Sequence, residues 1–241
     1  MAAAGMLIHP GPADRQRVQV IPCRAHPVRL RLRAGLPLDR AVAVAARHAG
    51  ITAAWLMLDD LPCDRLSFVI PAPPPGDGRV AFYSDTRILG PAARIVTAGL
   101  HLGQGGAIHA HGLWTDARGV LQMGHLRPEA TQLSRNVQIS GWHLDGAVFR
   151  RGPDAETGFP LFSPSPRPRR LSGGLPARLV RLRPHMDLVP TINALTRGRM
   201  RVLGLGSLIG TRFSTCASLP GPATEILILS QDCARLRIAS V

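Results

Sequence analysis

Two segments of the chain share one sequence pattern at a constant offset of 150 residues, and this repetition limits the possible folds more than any other feature. RLRAGLPLDRAVAVAARHAGITAAWLML (31–58) aligns without gaps over RLRPHMDLVPTINALTRGRMRVLGLGSL (181–208). Each segment predicts an alternating strand, a turn, a short helix and an apolar strand. We therefore expect two related units, each built on a strand–helix–strand element.

After the first segment the chain continues into a series of predicted strands, whereas after the second it contains only one more. The predicted strands are 66–72, 79–84, 93–102, 107–114, 120–126, 137–142 and, in the second unit, 224–230. This order predicts an α+β fold with a mainly antiparallel sheet and a packed helix, followed by a partial βαβ-like repeat.

Composition divides the chain into four parts. Residues 1–22, rich in Ala, Gly, Pro and Arg, predict a mobile N-terminal lead-in, and residues 23–162 predict a complete domain. Residues 163–176 contain mostly Ser, Pro, Arg and Gly, which is typical of a linker. Residues 177–241 predict a shortened second half-domain, which either replaces a neighbour's surface in an assembly or is a decaying duplicate.

All 29 basic residues are arginines, and the formal net charge is +14. A basic surface attracts polyanions, so DNA is a candidate partner. Arg167, Arg169 and Arg170 of the linker are the candidate nucleic-acid contacts. The alternative, which the charge alone favours, is a solvated arginine-rich surface.

The four cysteines lie far apart and form no C-x-x-C pair, which argues against a disulfide framework and a zinc ribbon. A membrane-spanning helix needs about 18 consecutive apolar residues, and no apolar run in the sequence approaches that length. The N-terminus lacks the basic start and sustained apolar run of a signal peptide. These features predict a soluble cytoplasmic protein.

A short turn sets the register of two of the predicted strands. Asp116 and Gly119 occupy the first and fourth positions of a type I turn, in which Gly119 is left-handed. The turn pairs Asp116 with Val120. It also pairs Gly112 with Gly124, which would let another backbone or a helix pack closely against that face.

The same register brings three histidines to the other face of the hairpin. His109 and His111 are two residues apart and therefore share a face, and His125 lies opposite His111. Cross-strand Cβ atoms are about 5 Å apart, and imidazoles at that separation can converge on one ion with bonds of about 2.0–2.1 Å. We therefore predict a divalent metal site, best suited to zinc. The alternative is three histidines that share hydrogen bonds at a sheet or subunit interface.

The sequence predicts no catalytic residue. No Ser or Cys lies in a nucleophile context such as G-x-S-x-G. The only acids near the hairpin in sequence are Asp116 and Glu129. Two alternatives to a metal-binding regulator stay open: a small metal-dependent enzyme with a pocket between subunits, and a structural oligomer without an ion.

The region 26–162 resembles the PPC domain, also called the PCC domain. The resemblance is carried by HAHGLWTDARGVLQMGHL, by VQISGW (137–142) and by an R-x-x-D-x-x-T-G-F tail formed by Arg151, Asp154, Thr157, Gly158 and Phe159. Residues 177–233 resemble the first half of a second such domain without the histidine motif. The resemblance implies a compact α+β fold, a homotrimer and a metal site at the histidine cluster. Plant members attached to AT-hook segments are DNA-associated regulators, whereas stand-alone members have no settled activity.

The chain departs from the family pattern in three places. Met123 stands where the family has the first Gly of Gly-Gly-His-Leu, and Asn136 stands where a Glu is common. The second departure removes a candidate carboxylate for acid–base chemistry. PRPRR (166–170) lacks the Gly of the AT-hook core, so the sequence favours a flexible spacer over a minor-groove insert.

Overall fold

The structure is a computed structural model that describes residues 7–197, 199–214, 217, 221–231 and 236–241. Its helices are α1 (Leu38–His48) and α2 (Leu188–Thr196). Its strands are β1 (Val18–Leu32), β2 (Ala54–Val69), β3 (Pro71–Ala72), β4 (Phe82–Tyr83), β5 (Arg87–Leu89), β6 (Ala93–Leu102), β7 (Ile108–Thr115), β8 (Leu121–Leu126), β9 (Gln132–Leu133), β10 (Val137–Asp145), β11 (Ala147–Pro153), β12 (Pro160–Pro166), β13 (Leu175–Leu182), β14 (Gly204–Ile209), β15 (Ala223–Gln231) and β16 (Leu236–Ser240). Within these ranges no helix has both the length and the apolar character that crossing a bilayer requires.

The main sheet has the strand order β13-β1-β10-β2-β6-β7-β8, and neighbouring strands are antiparallel. Helix α1 packs its apolar stripe into the core, because Leu38, Ala41, Val42 and Ala46 recur at helical spacing and are all buried. Gly50 follows the helix with a φ of 67°, a left-handed conformation that ends helices. The α+β class and the mainly antiparallel sheet are thus as the sequence predicts.

Strand β2 bends and closes part of the sheet into a barrel. Its first half pairs with β6, while Phe68 and Val69 near its end pair with β8. Asp60 in the middle of β2 has a φ of 59°, and the pairing with β6 skips this residue. Because β2 pairs with both β6 and β8, the strands β2, β6, β7 and β8 form a closed ring.

The paired glycines of the β7–β8 hairpin point into this barrel. A Cβ atom on Gly124 would lie 2.4 Å from the carbonyl oxygen of Val69, and one on Gly112 would lie 2.4 Å from Cβ of Ala98. The backbone of β2 thus lies close to Gly124, and that of β6 lies close to Gly112. Because side chains alternate along a strand, the histidines lie on the outer face of the barrel.

The C-terminal part of the chain covers that outer face. Strand β13 pairs with β1, while β14, β15 and β16 form a separate antiparallel sheet. An apolar cluster joins this sheet to the barrel through Trp55, Met123, Leu227 and Ala239. The side chain of Met123 thus fills the contact between the two parts.

Element boundaries in the two parts correspond at the offset of 150 residues. Strand β1 ends at Leu32 and β13 at Leu182. Helix α1 begins at Leu38 and α2 at Leu188. Strand β2 begins at Ala54 and β14 at Gly204. The two units use these elements differently, because β13 joins the main sheet whereas β14 does not. That the second unit is a copy of the first stays a proposal.

The predicted lead-in is shorter than its composition indicates. β1 begins at Val18 because eight residues from Val18 to Ala25 pair with β13, and this pairing was not visible in the local sequence. Asp14 and Arg17 also make contacts with the rest of the chain, which are described below. Residues 1–6 of the predicted lead-in lie outside the described residues.

The predicted linker is held against the domain. Residues 163–166 belong to β12, which pairs with β11, and β13 already begins at Leu175. Between these strands the Asp145 carboxylate accepts hydrogen bonds of 3.0 Å from the backbone N–H groups of Arg170 and Leu171. The middle of the segment is therefore anchored, which its Ser, Pro, Arg and Gly composition did not indicate.

Cys23 and Cys63 are free thiols. Burial raises the pKa of each to about 11, so neither provides a thiolate nucleophile near neutral pH. Cys216 and Cys233 lie outside the described residues.

Candidate metal site

The β7–β8 turn adopts the predicted geometry. The Gly119 N–H donates to the carbonyl oxygen of Asp116 at 3.0 Å, and Gly119 has a φ of 77°. The Asp116 carboxylate accepts the backbone N–H groups of Arg118 and Val120 at 2.8 and 3.0 Å. These local bonds hold the predicted register, in which His111 pairs with His125 and Gly112 with Gly124.

Three imidazoles converge on the outer face of this hairpin. Nε2 of His109 lies 3.0 Å from Nε2 of His111. Together with His125, the candidate ligand atoms all lie within 4.8 Å of one another. Bonds of about 2.0–2.1 Å in a tetrahedral site place ligand atoms about 3.3 Å apart. The cluster therefore fits a single ion after small side-chain adjustments.

The electrostatic environment keeps two of these imidazoles neutral. Burial, with a smaller effect from the neighbouring His111, lowers the pKa of His125 to about 4 and that of His109 well below its ordinary value. A metal ligand must offer a lone pair, which only the uncharged ring provides. Nδ1 of His125 is also buried without a hydrogen-bond partner among the described residues. A buried nitrogen without a partner is available to a ligand.

Strand β15 supplies two further groups to the cluster, and sequence reasoning missed both. The Ile226 carbonyl lies 3.0 Å from Nδ1 of His111, and a Glu225 carboxylate oxygen lies 2.9 Å from Nε2 of the same ring. Ser207 donates its hydroxyl to that carboxylate at 3.0 Å. The available signal was a single acidic residue within the mainly apolar strand TEILILS.

Asn136, which stands where the resemblance would place a Glu, makes a hydrogen bond outside this cluster. Its side-chain oxygen accepts the backbone N–H of Ala34 at 2.9 Å, beyond the end of β1. The residue therefore supports a turn.

The R-x-x-D-x-x-T-G-F tail forms a structural clasp. One oxygen of Asp154 accepts both the N–H and the hydroxyl of Thr157 at 3.0 Å. The other accepts hydrogen bonds from Arg181 and Arg183 of the second unit at 2.6 and 3.0 Å. Burial alone would raise the pKa of Asp154, but these hydrogen bonds outweigh it and lower the pKa to about 2.

The clasp also includes the segment before β1. Glu156 accepts a bidentate pair of hydrogen bonds from Arg17 at 2.9 and 2.8 Å. Arg183 bonds to Asp14 at 2.6 Å. Residues before β1, the tail and the end of β13 are thus joined by buried and half-buried ion pairs.

Replacement of Asp154 by Asn is expected to lower the free energy of unfolding by about 3 kcal/mol at pH 7, because Arg181 loses its charged partner and Arg183 loses one of its partners. A carboxyl whose pKa is depressed in the folded state stabilises it above its ordinary pKa and loses that effect as the pH falls through the folded value. The difference between wild type and variant should therefore be complete above about pH 4 and shrink towards pH 2. Urea unfolding at several pH values measures it.

The matched control is Asp77→Asn, which removes one carboxylate from an exposed ion pair with Arg79. Solvent screens that pair, so little change in stability is expected. An equal loss in both variants would contradict the role assigned to the clasp.

The candidate nucleic-acid residues lie at the surface of the anchored linker. Arg169 and Arg170 are exposed and Arg167 is half-buried. None of the three guanidinium groups forms an ion pair with a carboxylate within the part of the chain that the structure describes. Their charges are therefore available to a polyanion.

A cavity of about 1660 Å³ lies between the barrel and the second unit and reaches the histidine cluster. Its lining includes His101, His109, Glu225 and the aromatic rings of Phe149 and Phe162. Burial lowers the pKa of His101 to about 3, with a smaller effect from His111. The cavity could accommodate a small ligand next to the cluster.

No family model and no curated protein matches the chain. Among solved structures, similarity is found to a PPC protein from Pyrococcus horikoshii, at 17% identity over 58% of this chain and 94% of that one, with a TM-score of 0.42. A metal-containing protein from Archaeoglobus fulgidus shows 21% identity over 58% and 94% of the two chains, with a TM-score of 0.44. A candidate DNA-binding protein from Ralstonia eutropha JMP134 shows 16% identity over 58% and 95%, with a TM-score of 0.45.

Proposed function

We propose that the chain is a PPC-domain protein that holds a divalent metal at His109, His111 and His125 and acts as a cytoplasmic binding or regulatory protein. In this proposal residues 23–162 form the complete domain and 177–241 a shortened second copy. The convergence of three imidazoles on a turn-fixed hairpin carries the proposal. Assembly into a homotrimer follows from the family resemblance alone, and light scattering on the purified protein tests it.

Zinc suits the donor set best. Imidazole nitrogens bind Zn²⁺ at about 2.0–2.1 Å in tetrahedral geometry. Zinc and copper ions bind nitrogen donors well, whereas calcium and magnesium ions prefer oxygen donors. A bound zinc ion would link the hairpin to the groups around it and could polarise an oxygen-containing ligand. The protein's own residues would hold it by offering ring nitrogens and, at His111, by fixing the ring through Nδ1.

Elemental analysis of the purified protein tests the metal directly. We expect close to one zinc per wild-type chain and none in His109→Ala/His111→Ala. A wild-type protein that contains no divalent metal and takes none up from buffer would refute the proposal.

DNA association is the second part of the proposal, and the free charges of Arg167, Arg169 and Arg170 support it. Changing all three to Gln should weaken retention on duplex DNA. Each phosphate contact contributes about 0.9 to the slope of log K against log salt, so three contacts account for about 2.7. Filter binding at several salt concentrations measures this slope.

The control variant is Arg29→Gln/Arg31→Gln/Arg33→Gln, which removes the same charge from exposed positions in and after β1. If the linker contacts the DNA, this variant should leave the slope of log K against log salt nearly unchanged. Equal losses in the two variants would mean that DNA responds only to total charge.

The cavity beside His109 and Glu225 favours one alternative function, that of a small metal-dependent enzyme. A catalytic zinc keeps a coordination position open for water or substrate. The azide experiment described below examines that position and therefore separates the enzyme from the regulator.

A further inference from the structure

Glu225 is a buried carboxylate without a permanent positive partner. It is 2% exposed, and it lies on β15, in the second unit, far in sequence from the histidine hairpin. Within the described ranges, no arginine lies within ion-pair distance of it, and its only charge-bearing neighbour at that distance is His111. Burial of an isolated carboxylate is strongly unfavourable, so a cation at this point would stabilise it.

The hydrogen bonding of His111 shows where that cation would lie. The Ile226 carbonyl can only accept, so Nδ1 of His111 carries a proton and donates it. In the neutral ring, Nε2 then holds a lone pair. That lone pair faces the Glu225 carboxylate at 2.9 Å and Nε2 of His109 at 3.0 Å. A proton on Nε2 of His109 would provide a hydrogen bond between the two rings. The lone pair on Nε2 of His111 would, however, still face the negatively charged carboxylate of Glu225, which is unfavourable.

The spacing of these atoms fits coordination. Ligand atoms around a tetrahedral zinc ion are about 3.3 Å apart, a few tenths of an ångström more than the 2.9 and 3.0 Å in the structure. Ser207 donates to the same carboxylate at 3.0 Å. A hydrogen bond of this kind orients a metal-binding carboxylate.

We propose that Glu225 is the fourth protein ligand of the metal, so that the second unit completes the site within one chain. The inference rests on the proposed metal binding by the three histidines. It gives the site four protein donors and no exchangeable water, which is the arrangement of a structural zinc centre. It also gives the second unit a function that is independent of any motif of its own.

Zinc affinity of Glu225→Gln tests the inference. The variant keeps the size of the side chain but weakens its donor, and loss of an outer-shell partner alone costs about 10–100-fold in affinity. We expect at least a 100-fold loss for Glu225→Gln and about a 10-fold loss for Ser207→Ala, measured by competition with a zinc-binding dye. Glu156→Gln, which removes another buried carboxylate in the clasp, should bind zinc as the wild type does.

The outcomes separate the two proposals. If the wild type binds no metal, both proposals fail. If Glu225→Gln binds zinc as tightly as the wild type does, only the role of Glu225 fails.

The wild-type protein provides a second test that does not depend on the folding of a variant. Cobalt(II) in place of zinc gives an intense visible absorption when four-coordinate. With Glu225 bound, this spectrum should not change on addition of azide, because no position is open to it. A shift of the cobalt bands with azide would overturn the inference and favour the enzyme alternative.

Discussion

Removal of the metal with a chelator is expected to lower the free energy of unfolding by about 4 kcal/mol, when the protein starts at a free zinc concentration about 1,000 times the dissociation constant. The reason is linkage: the ion binds the folded chain, in which the hairpin ligands converge, and the unfolded chain does not bring these ligands together. The effect should grow with free zinc concentration. Urea unfolding at fixed free zinc, with and without EDTA, measures it.

His109→Ala/His111→Ala is the control for this experiment. The variant should unfold at the same urea concentration with and without EDTA, because it has no ion to lose. It should also be less stable than the metal-free wild type, since the His111 ring is 0% exposed and its removal leaves Glu225 and the Ile226 carbonyl without that partner. A chelator effect of equal size in both proteins would place the metal elsewhere.

Gly124→Ala is expected to destabilise the protein by at least about 3 kcal/mol, because overpacking against backbone cannot be relieved by a side-chain rotation. The new methyl group would lie 2.4 Å from the Val69 carbonyl oxygen and 2.9 Å from the Phe68 ring. Relief requires β2 and β8 to separate, and their pairing closes the barrel. Urea unfolding gives the loss of stability, and zinc titration should show a weaker site because His125 is the next residue on β8.

Gly152→Ala is the matched comparison. Nothing within 4 Å would meet the new Cβ there, and the φ of Gly152 lies outside the left-handed region. The substitution should change stability by less than about 1 kcal/mol, with a gain from the stiffer unfolded chain. If the two variants were equally stable, the closure of the barrel by β2 and β8 would be in doubt.

The hairpin could be predicted because its determinants are local. Asp116 and Gly119 define a turn whose hydrogen bonds span only four residues, and the period of two then places every side chain of the two strands. The same reasoning applies to α1, whose apolar spacing and terminal Gly50 lie within one short segment. The shared face of the histidines and the face of the glycines followed from that register.

The rest depends on contacts between distant parts of the chain. Glu225 meets His111 only because β15 crosses the outer face of the barrel. The acidic residue within TEILILS is visible in the sequence, but its partner is not. The docking of the linker depends likewise on Asp145, a residue in another strand. Composition predicted a flexible spacer there. The hydrogen bonds that anchor it run from backbone N–H groups to a carboxylate far away in sequence, and no residue of the segment itself indicates them.

Strand β13 also affects whether copies of the chain associate through the edge of the main sheet. It occupies the outermost position of the main sheet, where unpaired backbone groups would invite strand addition and fibrous association. Its exposed Pro176 has no N–H to donate, and Arg178 adds an exposed charge. These residues are typical of edges that resist aggregation. The second unit thus protects the sheet that it extends.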